Sequence, residues 1–543
     1  MIHLKGGYLV DPVNHLDGPG DLWIEGDRIV GPPAGGRATE TVDCTGCVVM
    51  AGAIDVHSHI GGGNVNTARL LLPEEHPASL RRPGETPLSR IGFDVDTTGR
   101  LYAEMGFTTV IEPAMMPSNG LHAHLELADI PIIDKGALVV LGNEDFLLTL
   151  LRGKESRSAV RDYVSYMVES TGALGIKVIN AGASAAFKAN ARTFALDDEV
   201  PGYGVSSRQI VLALQQAVDE LGIPHPLHIH CNNLGVPGNA DTALATMEAT
   251  SGRPAHLAHI QFYGYGKEGR RGFSSAAARL AEAVNRRKDV TVDIGQIMFG
   301  QTVTISCDTL RQFTARNFSR PRKWVITETD FNGGGIVPYR YSSSDFYNVV
   351  QWAVGLELFL LIDDPWRVFF TTDHPNGAPF TFYPEIFALL MDRQARNNAI
   401  AELPKRAIAM TGLASIAREY TLAEIAIMTR AAPARLLGLA DRGHLGRGAR
   451  ADVAVYRRRD DKAEMFRSTV VTIKAGTVVV RDGTVVATPE GKALVVKPGA
   501  GTAISRRMER YYEEAFGLSP QFFHVDPAAL GRDEPFMEVP CRS

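Results

Sequence analysis

"GAIDVHSHIGGG", residues 52–63, is apolar through Ala53, Ile54 and Val56 and ends in two histidines two positions apart, followed by a glycine turn. On a strand, residues i and i+2 face the same side, so His57 and His59 can reach one metal ion from the strand's end. A single H-x-H is weak evidence. The fold is decided by its recurrence in kind: short apolar runs that end in polar, metal-competent residues return as "FTTVIEP" (107–113), "ALVVLGNED" (137–145), "GIKVIN" (175–180), "PLHIHC" (226–231), "HLAHI" (256–260), "VTVDIG" (290–295) and "WRVFFTTD" (366–373). Between them lie amphipathic helical stretches such as "SSRQIVLALQQAVDELG" (206–222), where Ile210, Leu214, Ala217, Val218 and Leu221 share a face. Eight strands alternating with helices predict an α/β fold, a metal-dependent (β/α)8 TIM barrel over residues 51–430 with its active site at the C-terminal ends of the strands. An open doubly wound sheet is the alternative, because periodicity does not reveal closure.

The flanks have a different texture. "GYLVD", "DLWIEGDRIVG" and "TVDCTGCVVM" alternate apolar and polar residues around Gly and Asp, and "ADVAVYR", "TVVTIKAGTVVVRDGTVVA" and "KALVVK" repeat this near the other end. Residues 1–50 and 431–500 are therefore expected to pair as one small composite β-sandwich domain, followed by a C-terminal extension, 501–543, with one charged helix, "AISRRMERYYEEAFG".

Of the 543 residues 45% are hydrophobic and 22% charged, with a formal net charge of −5, which gives no sign of a nucleic-acid partner. The opening "MIHLKGGYLVDP" lacks the pattern of a secretory signal, so a cytoplasmic location is expected. The longest apolar stretch, "VVQWAVGLELFLLI", is broken by Gln351 and Glu357 and is too short for a bilayer; it reads as a buried helix, with no membrane contact expected. Five scattered cysteines argue against a disulfide framework, and Cys44 and Cys47, a C-x-x-C without a second pair, read as core or loop thiols.

The chemistry-bearing residues cluster at the predicted strand ends. Lys177 lies between apolar neighbours on strand four, where burial would depress its pKa. A neutral amine there can add carbon dioxide to form a carbamate that bridges two metals. Strand five supplies His228 and His230, strand six His256 and His259; His230 and His259, nearest the C-terminal ends, can complete a second metal, leaving the other two as supporting or core residues. Cys231 alternates away from His230. His122 and His124 have the H-x-H spacing but lie in a helical pattern, where i and i+2 diverge, and are assigned no metal. Asp373 closes strand eight, which neighbours strand one in a closed barrel, so its carboxylate can join His57 and His59 and also serve as the catalytic proton carrier. This nitrogen and oxygen donor set suits Zn²⁺, and two metals with such a carboxylate predict hydrolysis of an amide-like C–N bond or its reverse.

"DVHSHIGGGNVNTARLL", "GIKVIN", "LHIHCNNLG", "HLAHIQFYGYG" and "TTDHPNGAPF" resemble the A-type component of formylmethanofuran dehydrogenase within the amidohydrolase superfamily, and the likeness covers nearly the whole chain. The glycine-rich "HIGGGNVN" leans towards the bacterial form, the alpha subunit of the formyltransferase/hydrolase complex of methylotrophs. This resemblance implies two Zn²⁺ bridged by N6-carboxylated Lys177 and held by His57, His59, His230, His259 and Asp373. It implies cleavage of N-formylmethanofuran, or a methanofuran-like furan-amine carrier, to formate and free amine in one-carbon metabolism. It also implies partners in a multisubunit complex, namely the formyltransferase and the B/C-type subunits. By motif position Asn66, Arg69 and Asn232 would lie near substrate. Carriers of this family bear polyglutamate tails, for which Lys267, Arg270 and Arg271 are the better basic cluster and Arg316, Arg320, Arg322 and Lys323 the second. The rival readings are another amidohydrolase, dihydroorotase-like or hydantoinase-like, and a carrier-binding scaffold subunit without catalysis.

Overall fold

The computed structural model describes residues 1–71, 95–306 and 335–542, apart from positions 36, 156, 192, 500 and 501. All eight expected strands form, in barrel order one to eight: Ala53–Asp55, Phe107–Met115, Asp134–Leu141, Gly175–Ile179, Leu227–His230, Ala255–Leu257, Val290–Asp293 and Val368–Phe369. Each pairs in parallel with the next, for instance Val140 with Lys177, His228 with His256 and Val292 with Val368. The ring closes between strands eight and one, where Ser58 bridges His374 and the His59 amide donates to the His374 carbonyl at 2.8 Å. Closure settles the choice against an open sheet. A parallel barrel is covered on both faces, which is why these strands read as continuous apolar runs; every residue of Asp134–Leu141 is buried.

The helices follow their sequence signals. Ser207–Glu220 starts at Ser206, whose hydroxyl accepts the Gln209 amide while the Gln209 side chain returns to the Ser206 amide, a reciprocal cap that satisfies two otherwise orphan donors. Phe346–Leu361, the apolar stretch, is buried apart from its last residue and is capped by Asp345, which accepts from Tyr347 N and Asn348 N. Among the described residues no helix is long and apolar enough to cross a membrane.

The chain ends meet as expected. Cys47–Ala51 pairs antiparallel with Val453–Arg457, Val49 opposite Val455, within a sheet that has nine strands among the described residues and also contains Ile2–Asp11, Leu16–Glu25 and Val471–Lys474. Cys44 and Cys47 are buried in the apolar core of this sheet beside Leu22, Val453 and Ile473. One assignment is corrected. "KALVVK" does not join this sheet: Ala493–Val495 pairs in parallel with barrel strand three and, on its other side, with Phe536–Glu538 of the C-terminal extension. Alternation identifies a strand there but carries no information about its partner. Barrel and β domain are joined by a buried ion network in which Asp134 receives Arg442 at 2.6 Å and Lys474 at 2.7 Å, and Lys474 also reaches Asp452 at 2.8 Å.

Candidate active site

The C-terminal ends of strands one, four, five, six and eight bring all six expected metal ligands into one buried cluster. His57 Nε2 lies 3.0 Å from Asp373 Oδ1, and His59 Nε2 lies 3.4 Å from the same oxygen. Lys177 Nζ is 3.2 Å from His57 Nε2, and His230 Nδ1 is 3.1 Å from His259 Nε2. Donor atoms of His57, His259 and Asp373 fall within 4.8 Å of one another. Backbone geometry aims two of them: His259 (φ 34°) and Asp373 (φ 52°) both occupy the left-handed region, which costs a non-glycine residue of order 1–3 kcal/mol and persists where surrounding contacts enforce it. The Asp293 carboxylate holds the His259 amide at 2.6 Å and Thr371 Oγ1 holds the Asp373 amide at 2.9 Å.

Two further carboxylates, Asp293 and Glu112, orient the paired histidines. His57 Nδ1 meets Asp293 Oδ2 at 2.9 Å and His59 Nδ1 meets Glu112 Oε1 at 3.0 Å. A carboxylate on Nδ1 keeps that nitrogen protonated and leaves Nε2 as the bare donor, the usual arrangement behind a metal-bound imidazole. Glu112 Oε2 also accepts the amides of Ile60 at 2.7 Å and Gly61 at 3.1 Å, fixing the glycine turn after the H-x-H. Both were missed from the sequence, although each sits at or near a strand end in "FTTVIEP" and "VTVDIG", at the level of the ligands on neighbouring strands.

Electrostatics follows from this packing. Burial opposes ionisation of Asp373, but His259 and His57 outweigh it and hold the carboxyl well below its usual range. Burial likewise works against protonation of His59, yet Glu112 and Asp373 raise it to about 9, so a cation bound at Nε2 would displace a proton there. His259 is driven well below its usual value by burial, so it is a neutral ring able to donate a lone pair. The cluster fits metal ions on the structure's own terms. Among the described residues His259 Nδ1 and Asp373 Oδ1 are buried without a hydrogen bond. Facing imidazole nitrogens and an unbonded carboxylate oxygen are the donors a divalent cation would draw together.

His228 and His256 lie one level deeper. His256 Nε2 is 3.0 Å from Asp293 Oδ2, and His228 Nε2 is 3.0 Å from His57 Nδ1. They support the centre rather than front it. Cys231 is buried, and burial pushes its thiol up to about 12. His122 is exposed on helix Gly120–Asp129 against Glu126, while His124 is buried there and bonds the Thr171 carbonyl at 2.9 Å, so the two rings diverge.

A cavity of about 510 Å³ opens onto the centre and is bounded by His59, Lys177, His230, His259 and Asp373. The three motif-based substrate contacts are not among its lining residues. Asn66 bonds the Glu126 carboxylate and accepts from Arg69 at 3.1 Å, Arg69 also bonds the Ile60 carbonyl at 2.9 Å, and Asn64 and Thr67 line the cavity in their place. Asn232 is buried beside the site, its Nδ2 without a hydrogen bond among the described residues. Lys267, Arg270 and Arg271 are exposed on the loop between Tyr265–Gly266 and Ser274–Ser275, away from the cavity lining, with Arg271 stacked 4.6 Å over the Phe346 ring. The second basic cluster, Arg316 to Lys323, lies outside the described residues.

Residues 40–487 match the amidohydrolase family model. The chain is 48% identical over 550 residues, 100% of each chain, to the A-type component of the formyltransferase/hydrolase complex Fhc of Methylorubrum extorquens. It is 35% identical over 537 residues, 94% of each chain, to protein FwdA of Methanocaldococcus jannaschii. A crystal structure of the Methylorubrum extorquens FhcABCD complex with methylofuran superposes with a TM-score of 0.94 over 100% of both chains at 48% identity. With the barrel, its carboxylate-backed histidines and these full-length matches in hand, the chain belongs to the amidohydrolase family, in the group formed by FwdA and the A-type component of the formyltransferase/hydrolase complex.

Proposed function

We propose that this chain hydrolyses the formamide C–N bond of an N-formylated furan-amine carrier, releasing formate and the free amine, as the A-type component of a formyltransferase/hydrolase complex. The observation that carries the reading is the convergence of His57, His59, Lys177, His230, His259 and Asp373 in one cluster, all but His57 lining a single cavity. Full-length identity of 48% to a component of a complex crystallised with methylofuran supports the carrier class and the partner subunits. In this reading His57, His59, His230, His259 and Asp373, with Lys177 as its carbamate, would hold two Zn²⁺. When bound, the metals lower the pKa of water and polarise a carbonyl oxygen.

The protein's own residues then do the following. Asp373, ionised and fixed by Thr371, accepts a proton from the attacking water as its oxygen bonds the formyl carbon. As the C–N bond breaks, the same carboxyl returns that proton to the amine nitrogen, so water and amide become formate and amine with no other reactant. Glu112 and Asp293 keep the His59 and His57 rings oriented throughout. The side chains of Met115, Met116, Leu234 and Phe262 add apolar lining to the cavity, suited to a furan ring.

The test is zinc content and formate release from N-formyl furfurylamine on the complex purified with its partners, with Asp373→Ala alongside. About two zinc ions per chain, with activity falling at least ~10³-fold in the variant, is the expected result. Metal without formate release would point to another amide substrate.

A further inference from the structure

The cavity has a second wall whose chemistry the hydrolytic centre does not use. The loop after strand three and the loop after strand four are stitched together: Gly182 N donates to the Gly142 carbonyl at 2.9 Å, Asn143 Nδ2 to the Ile179 carbonyl at 3.0 Å, and Ser184 N to Asn143 Oδ1 at 3.1 Å. This seam presents Asn143, Glu144, Asn180 and Ser184 to the cavity beside Lys177. Asn143 is engaged at both ends of its carboxamide by the seam itself. Glu144 and Asn180 are not.

Glu144 stands at the N-terminal cap of helix Asp145–Arg152 but its side chain makes no capping bond; it folds back to accept the Gly142 amide at 2.8 Å and lines the cavity. Among the described residues it has no ion pair. Glu144 is half-buried; a partly desolvated carboxylate is costly unless a cation or further donors meet it, and burial accordingly raises the Glu144 carboxyl to about 7. Asn180 is 4% exposed, sits at φ 43°, and its Oδ1 is buried without a hydrogen bond among the described residues. A strained, unsatisfied carboxamide on a cavity wall three positions after Lys177 is an arrangement that a bound ligand would relieve.

We propose that Glu144 and Asn180 form an amine pole, a subsite in which the carboxylate takes the ammonium of a primary amine and the carboxamide accepts the N–H of the corresponding secondary amide. The assignment rests on the hydrolysis reading for the identity of that amine as substrate and product end of one molecule. It adds a selectivity: an amide without an N–H leaves the Asn180 oxygen buried and unpaired, and a neutral isostere of the amine leaves Glu144 uncompensated. The apolar residues lining the same cavity would receive the ring while the pole fixes which end of the molecule points to Asp373.

The experiment uses the assembled complex and reads binding apart from turnover. Furfurylamine and furfuryl alcohol, which share the ring and differ in charge, are titrated calorimetrically into wild type and Glu144→Gln. The variant is expected to lose about tenfold or more in affinity for the amine and to keep its affinity for the alcohol. Amine affinity unchanged in the variant, or amine and alcohol weakened equally, overturns the proposal. As a second reading, N-methylation of N-formyl furfurylamine should weaken binding to wild type, and Asn180→Ala should erase that difference; a difference that persists in Asn180→Ala removes Asn180 from the pole. Absence of formate release from wild type, with Glu144-dependent amine binding retained, would refute the hydrolysis reading alone and leave the amine pole standing.

Discussion

Replacing Asp293 by asparagine is expected to weaken zinc binding without removing any ligand. Asp293 Oδ1 accepts the His259 amide at 2.6 Å, and Oδ2 lies 2.9 Å from His57 Nδ1 and 3.0 Å from His256 Nε2. Both carboxylate oxygens accept, whereas a carboxamide offers one acceptor and one donor. If the asparagine oxygen keeps the His259 amide, its NH2 faces His57 Nδ1, and that ring is driven to the tautomer with its proton on Nε2, the nitrogen that points at Asp373 and the metal position. If the carboxamide is turned over, its NH2 opposes the buried His259 N–H, which costs about 1–3 kcal/mol for an unsatisfied donor. Substitutions behind a metal ligand typically lower affinity 10- to 100-fold, about 1.4–2.7 kcal/mol. Zinc affinity would be measured by competition with a chromophoric chelator, with circular dichroism confirming the fold. Asp241→Asn, which removes a surface carboxylate 2.7 Å from Arg279, serves as the control that should change nothing. Equal zinc affinity in wild type and a folded Asp293→Asn would show that Asp293 does not set the His57 tautomer, and the account of the centre's support would fall with it.

Gly377→Ala should damage the loop that carries Asp373. A Cβ there would lie 2.6 Å from the Gln296 and Thr372 carbonyl oxygens and 2.9 Å from that of Gly295, all backbone, so an overpacking cost on the order of 1–3 kcal/mol is expected as a lower unfolding temperature together with a reduced kcat; an unchanged melt and rate would contradict it. His124 is held neutral by burial, which lowers its pKa to about 4, against an ordinary value of about 6.5 in the unfolded chain. Because the unfolded state binds the extra proton between those values, this contribution is complete above pH ~6.5 and is lost as pH falls towards 4, by roughly 3 kcal/mol. His124→Gln, which can still donate to the Thr171 carbonyl, should therefore show a shallower acid decline in unfolding midpoint than wild type across that window; parallel curves would rule the assignment out.

How far the sequence leads is set by which interactions are local in register. Barrel strands are buried on both faces, so "FTTVIEP" and "ALVVLGNED" announce themselves by apolar continuity, and ligands at their C-terminal ends share a level because parallel pairing aligns them, as Lys177 aligns with Val140 and His228 with Lys177. That logic extends to Asp373 as soon as the barrel is taken to be closed. It extends equally to Glu112 and Asp293, which occupy the same level, but an acidic residue at a strand end is also an ordinary turn former, and only the 2.9 and 3.0 Å contacts to the Nδ1 atoms of His57 and His59 distinguish the two uses. Helical phase explains which neighbours of the glycine turn line the cavity. In Gly63–Leu71 residues three apart share a face, so Asn64 and Thr67 turn to the cavity together and Asn66 and Arg69 turn together to Glu126 and Ile60. Choosing between those pairs requires the docking of the helix, which no spacing encodes. Glu144 and Asn180 lie further still from local legibility. Asn180 ends "GIKVIN" and Glu144 lies in "ALVVLGNED", but nothing in either run pairs them: they come from different strand-to-helix loops, and they share a wall because Gly142, Asn143 and Ile179 bond the two loops to Gly182, Ser184 and each other. The cluster of expected ligands was readable because those residues sit at the ends of regular elements, while the groups proposed to select the substrate sit on the irregular backbone between them, where sequence pattern carries least.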